Sequence, residues 1–105
     1  MNLTPQEAAD RIAAGDADLI DVREPYEHEA GRIEGARLVP LQDLPAIAQS
    51  LDPDRPVVFV CRVGGRSAMA ADAFRQAGFE AYNLTGGVIG WKRAGLPFTG
   101  EIADH

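Results

Sequence analysis

The chain of 105 residues predicts an α/β fold, with helices flanking a mainly parallel central sheet of four or five strands. Three observations carry that prediction. Short β-branched and apolar runs alternate with segments of helical spacing along the whole length. Polar or glycine-bearing turns separate them. No repeat, linker or low-complexity stretch breaks the alternation, so residues 1–105 read as a single domain around one core.

The elements follow in order. Thr4-Pro5-Gln6-Glu7 has the spacing of a capping box, with proline at the first helical position. Ala8, Ala9, Ile12 and Ala13 continue it as an apolar stripe, and Gly15 stops it. Leu19-Ile20-Asp21-Val22 predicts a buried strand running into the polar turn Arg23-Glu24-Pro25. Tyr26 to Gly31 has room for a short helical turn, and Gly35 to Val39 reads as a strand ended by Pro40. Leu41 to Leu51 predicts a helix whose regular part Pro45 confines to a later start. After the loop Asp52 to Pro56, Val57-Val58-Phe59-Val60 predicts a buried strand. A helix follows through Phe74 and ends at Gly78. Ala81-Tyr82-Asn83-Leu84 is the fourth clear strand, with Tyr82 and Phe59 as core candidates. A last helix runs from about Val88 to Arg93, with Trp91 as core or rim packing, and Gly95 stops it. The tail after Pro97 is expected to be loosely held.

Composition narrows the function. The chain is 46% hydrophobic and 25% charged, as ordinary globular proteins are. Its net charge of −6 argues against nucleic acid and anionic membrane surfaces as partners. A single cysteine makes no internal disulfide, and a reducing, cytoplasmic setting is the simplest. Met1 to Glu7 lacks the pattern of a signal peptide, and no apolar run approaches membrane-spanning length. One cysteine with only His28 and His105 does not predict a soft-metal site, and no cofactor is expected.

In open α/β sheets, sites lie at the carboxyl ends of strands. The turns after Val22 and Val60 are therefore the places to look. The second begins with Cys61 and continues Arg62-Val63-Gly64-Gly65-Arg66-Ser67 into a helix. Helix-terminal N–H groups lack intrahelical partners, and the dipole and two arginines favour an anion. A thiolate is the nucleophilic form of cysteine, and such a setting promotes it. Gly64 and Gly65 permit a sharp turn, positive φ and inward-pointing amides. Arg62 and Arg66 add guanidinium forks for an oxyanion. Ser67 is placed to cap the helix or donate to a bound group. A free cysteine alone is more often an inert buried residue. Strand, cysteine, paired glycines, arginine and helix together reverse that preference.

The other polar residues have plainer readings. Asp21 and Arg23 read equally as a loop-orienting aspartate with a pocket-bounding arginine or as a structural ion pair, and in both cases as supporting residues. His28 is an ordinary surface histidine, not a general base. Glu24, Glu27 and Glu29 form a solvated acidic face.

Three segments resemble the rhodanese family of sulfurtransferases. They are Leu19 to Pro25 continuing through Gly31-Arg32-Ile33-Glu34-Gly35-Ala36 to Val39-Pro40, then Val57 to Ser67, then Leu84 to Trp91 with Ala94-Gly95-Leu96-Pro97. Arg32 and Glu34 depart from the histidine and proline of many relatives. The resemblance implies a rhodanese-like three-layer sandwich and a persulfide carried on Cys61, with Arg62 to Ser67 binding substrate. It implies Asp21 and Arg23 as the family's aspartate–arginine pair, a small anionic sulfur donor such as thiosulfate, and a thiol, protein or cyanide acceptor. Four residues separate Cys61 from Arg66. Cysteine phosphatases resembling this family use five, so phosphatase and arsenate-reductase activities are runners-up. The two loop arginines favour thiosulfate over mercaptopyruvate. A persulfide carrier loaded by another protein would use the same loop, whereas non-catalytic relatives usually lack the cysteine.

Overall fold

The computed structural model describes residues 1–103. His105 lies outside the described residues. Five parallel strands form the central sheet: β1 (Asn2–Leu3), β2 (Asp18–Asp21), β4 (Arg37–Leu38), β5 (Val57–Val60) and β6 (Ala81–Leu84). Their order is β1-β6-β5-β2-β4. β5 is therefore central, and all four of its residues are buried. A strand covered on both faces needs an unbroken apolar run, and Val57 to Val60 supplies one.

Period-two alternation divides the core. Ile20, Val57 and Phe59 pack with Leu44, Ala70 and Phe74 on one face. Leu19, Val58 and Val60 pack with Ala8, Val88 and Trp91 on the other. The first face is covered by α3 (Leu44–Ile47) and α4 (Gly65–Gln76), the second by α1 (Pro5–Ala13) and α5 (Gly87–Arg93). The result is the three-layer sandwich that the family resemblance implies.

Several boundaries differ from expectation. The predicted 41–51 helix is one α-turn, Leu44–Ile47, between two 3-10 turns, Leu41–Asp43 and Ala48–Ser50. Pro45 lies in the first turn of α3, where its missing N–H costs nothing. The strand expected from Gly35 shrinks to Arg37–Leu38, which pairs only with β2 at the sheet edge. α4 begins at Gly65, within the predicted loop. Tyr82 is only half-buried, its ring lying 4.9 Å beneath the Arg11 guanidinium.

The tail is held rather than loose through residue 103. Its strand β7 (Thr99–Gly100) pairs antiparallel with β3 (Gly31–Arg32), which follows α2 (Pro25–Ala30). Trp91 Nε1 donates to the Pro97 carbonyl at 2.8 Å, and Phe98 and Ile102 pack on the α1/α5 face. Apolar burial at Phe98 and Ile102 supplies the free energy that the polar tail composition concealed. Among the described residues, no helix is long and apolar enough to cross a membrane.

Candidate active site

β2 and β5 are directly paired, with Asp21 opposite Val60. The two turns singled out by sequence therefore emerge side by side. The Val22 N–H donates to the Val60 carbonyl at 2.9 Å, carrying the pairing to the sheet's carboxyl edge.

Cys61 is 1% exposed, and its thiol faces the loop. The Gly64 N–H donates to Sγ at 3.1 Å, and the Ser67 N–H lies at 3.5 Å. The chain can curl back on Sγ because Gly64 adopts φ +119°, a conformation that side-chain-bearing residues rarely take. Gly65 needs no such freedom; it opens α4 with ordinary φ. The loop is pinned from behind by α5: the Val88 N–H donates to the Cys61 carbonyl at 2.8 Å, and the Ile89 N–H to that of Arg62 at 3.3 Å. Gly87 allows this approach, because a Cβ there would overlap both carbonyls.

Ser67 is fully buried and does not cap α4; Gly64 occupies that position. Its hydroxyl lies 3.2 Å from Sγ and 2.5 Å from Asn83 Oδ1 on β6. One hydroxyl proton thus serves two acceptors. Val63 stands out at the loop tip, 57% exposed. Arg62 reaches the C-terminal segment, where Nε donates to the Ala103 carbonyl at 3.2 Å.

Arg66 points toward α2. Its Nη1 and Nη2 donate to Glu27 Oε1 and Oε2 at 2.8 and 3.0 Å, a two-pronged contact. The expected solvated acidic face therefore fails at Glu27, which is 1% exposed. Burying a carboxylate requires compensating charge and hydrogen bonds. Arg66 supplies the charge, and the Glu24 N–H donates to Oε1 at 3.0 Å. Burial, the largest influence, pushes the Glu27 carboxyl up; the Arg66 bonds, the Glu24 amide and the Arg66 and Arg23 charges outweigh it and hold it below its ordinary value. The same contact raises Arg66 above its ordinary value, against burial and assisted by the nearby Cys61.

Beneath this pair lies a second. Arg23 and Asp21 are both fully buried. Arg23 Nε donates to Asp21 Oδ1 at 3.0 Å and Nη2 to Oδ2 at 2.8 Å. Nη2 also reaches the Gly31 carbonyl at 2.7 Å, and Nη1 the Glu27 carbonyl at 3.4 Å. The aspartate–arginine pair thus ties β2 to Glu27 and to Gly31 just beyond the end of α2. His28 is half-buried; its Nε2 is shielded and has no hydrogen-bond partner among the described residues. Nothing in its contacts links it to Sγ.

The model of the Rhodanese-like domain family matches residues 4–94. The chain belongs to the rhodanese-like domain family. A sulfurtransferase of Allochromatium vinosum is 40% identical over 83 residues, 78% of each chain. A thiosulfate sulfurtransferase of Actinobacillus succinogenes is 34% identical, covering 90% of this chain and 86% of its own. A rhodanese-related protein from Thermoplasma volcanium superimposes with a TM-score of 0.85 at 27% identity, covering 95% of this chain and 98% of its own. Other curated relatives are longer: this rhodanese-like domain spans 28% to 60% of three of them.

Glu27 and Asn83 are the residues that sequence reasoning missed in this rhodanese-like domain. Glu27 had a signal: it stands three positions after Glu24, the spacing at which a carboxylate turns back to the chain at a helix start. Asn83 had the weaker one of an amide inside a buried strand, where a polar group needs a partner. An apolar groove of 370 Å³ along α4, lined by Leu41, Leu44, Met69 and Phe74, contains none of the loop's polar groups. Among the described residues, no three His, Cys, Asp or Glu side chains group closely enough to hold a metal ion.

Proposed function

We propose that this domain is a sulfurtransferase that moves the outer sulfur of thiosulfate, or a related donor, to a thiophilic acceptor through a persulfide on Cys61. The observation carrying this reading is the Gly64 N–H aimed at Sγ from 3.1 Å, with the Ser67 amide and hydroxyl close behind. Main-chain donors fixed in place stabilise sulfur anions without reorganising during reaction.

The steps balance as a ping-pong exchange. The Cys61 thiolate attacks the outer sulfur of thiosulfate; the sulfur–sulfur bond breaks, and sulfite leaves with the electron pair. Cyanide or a thiolate then attacks the outer sulfur of the persulfide, and Cys61 departs as thiolate. Sulfite is a good leaving group, so no strong general acid is required. Arg62, Val63, Gly64 and Gly65 form the wall around the transferred sulfur, and Arg66 and Ser67 close it. Asp21 and Arg23 act as positioning residues under the loop. The donor is a small anion and the acceptor a thiol, a protein or cyanide; nucleic acid and membrane are not partners on this reading. A lone reduced cysteine suits the cytoplasm.

The four-residue span from Cys61 to Arg66 supports sulfur over phosphate, and so does the prior engagement of Arg66 by Glu27. A thiosulfate:cyanide assay tests the proposal. Turnover that vanishes in Cys61→Ser is expected. Substantial aryl-phosphate hydrolysis without sulfur transfer would replace the reading with the phosphatase one. Loading from a protein persulfide but not from thiosulfate would restrict it to a carrier role.

A further inference from the structure

We propose that Glu27 determines anion specificity: by neutralising Arg66, it keeps the mouth of the site from clamping inorganic dianions. Arg66 stands two residues beyond Gly64, whose amide touches Sγ, and is the cation of the first turn of the cradle's own helix. Unpaired, its fork would match two oxygens of a sulfate or phosphate. Instead both prongs close on Glu27 at 2.8 and 3.0 Å. The guanidinium side chain is 31% exposed and the carboxylate 1%, so an anion at the mouth meets the arginine with its charge already matched.

Glu27 is the fixed member of the pair. Its Oε1 also accepts the Glu24 N–H at 3.0 Å, and its carbonyl accepts Arg23 Nη1 at 3.4 Å. Arg23 is itself locked on Asp21 by Nε and Nη2. The carboxylate is thus presented from a buried frame, and Arg66 comes to it. The loop's other arginine, Arg62, is directed to the Ala103 carbonyl. The first turn of α4 carries no acidic residue of its own, so the hydrogen-bonded carboxylate that balances Arg66 comes from α2. A matched pair selects for donors held through their sulfur by loop amides, and against anions held only through oxygen. It also lets an oxyanion product depart. That last consequence rests on the sulfur-transfer reading; the charge effect does not.

A charge cycle tests the proposal. Wild type, Glu27→Gln, Arg66→Gln and the double variant are alkylated at Cys61 with neutral iodoacetamide. Inorganic sulfate is the protecting ion, at constant ionic strength. Loss of one negative charge at the mouth is expected to tighten sulfate protection roughly tenfold in Glu27→Gln, the scale of one charge acting on a dianion near contact distance in water. Arg66→Gln is expected to weaken it by a similar factor, and the double variant to return to about the wild-type value. A purely structural brace would instead place wild type apart from all three variants, and that order would overturn the proposal. Equal sulfate protection in all four proteins would overturn it as well. Circular dichroism checks the fold; should Glu27→Gln not fold, Arg66→Gln alone decides, and unchanged protection there refutes the idea. Thiosulfate:cyanide turnover on the same proteins is a separate arm. If sulfur transfer is the activity, its KM moves less than sulfate protection in Glu27→Gln, because the loop amides also hold the donor's sulfur; equal shifts would contradict the selectivity. Absence of turnover in wild type removes that activity while leaving the charge result intact.

Discussion

The loop after β5 and the turn after β2 leave neighbouring strands at the same edge of the sheet, but they are made of different materials. The first is main chain and small side chains: Gly64, Gly65, Ser67 and the amides that reach Sγ. The second is buried charge: Asp21, Arg23 and Glu27, each at most 1% exposed. The contrast assigns different work to each. On the proposed sulfur-transfer reading, amides around Cys61 would meet a sulfur anion without moving, whereas the charge lattice under α2 braces the loop through Arg66. Arg66 is the point of contact between the two, belonging to the first by sequence and to the second by hydrogen bonding.

That division can be broken at its ends. The largest effect is expected on the sulfur side, where Cys61→Ser abolishes thiosulfate:cyanide turnover while its urea midpoint stays near wild type. Next comes the charge lattice. Asp21→Asn leaves Arg23 buried without its carboxylate, and urea denaturation is expected to show a loss of about 3–5 kcal/mol, the range for one-sided removal from a buried pair. Gly87→Ala probes the wall that pins the loop. Its Cβ would overlap the carbonyls of Cys61 and Arg62 at φ +61°, so stability is expected to fall by about 1–3 kcal/mol, with turnover falling further than stability explains. Ser67→Ala removes one of several groups near Sγ and is expected to cost roughly tenfold in turnover, the value of about one hydrogen bond.

The smallest effect sharpens the comparison through pH. The Glu27 carboxyl is held below its ordinary value of 4.5 in the folded chain. Its contribution to stability is therefore complete above that ordinary value and fades as pH falls through the lowered one. Urea midpoints measured from neutral pH downward are expected to drop more steeply in wild type than in Glu27→Gln. Equal slopes would place the acid-sensitive groups elsewhere.

How much of this was legible in the sequence follows the same contrast. Elements set by local chemistry were readable: the Thr4-Pro5-Gln6-Glu7 start of α1, the apolar run of β5, and the cysteine–glycine loop that follows it. Their signals lie within a few residues. Glu27 was not readable as buried, because its burial depends on Arg66, thirty-nine positions away. Asn83 was missed for the same reason, since its partner Ser67 is sixteen positions away. β1 and β7 are two residues each and exist by pairing, β1 with β6 and β7 with β3. A two-residue strand has no period to detect. The helix expected over 41–51 was over-read because its composition suits a helix, while Pro45 and the turn at Ala48 divide it.

The central claim is that the amides of the β5–α4 loop hold a cysteine-bound extra sulfur. Intact-mass spectrometry on the purified domain, before and after thiosulfate, tests it most directly. The account predicts a gain of one sulfur atom, located on Cys61, reversed by cyanide and absent in Cys61→Ser. An unchanged mass after thiosulfate and after a protein persulfide donor would contradict it.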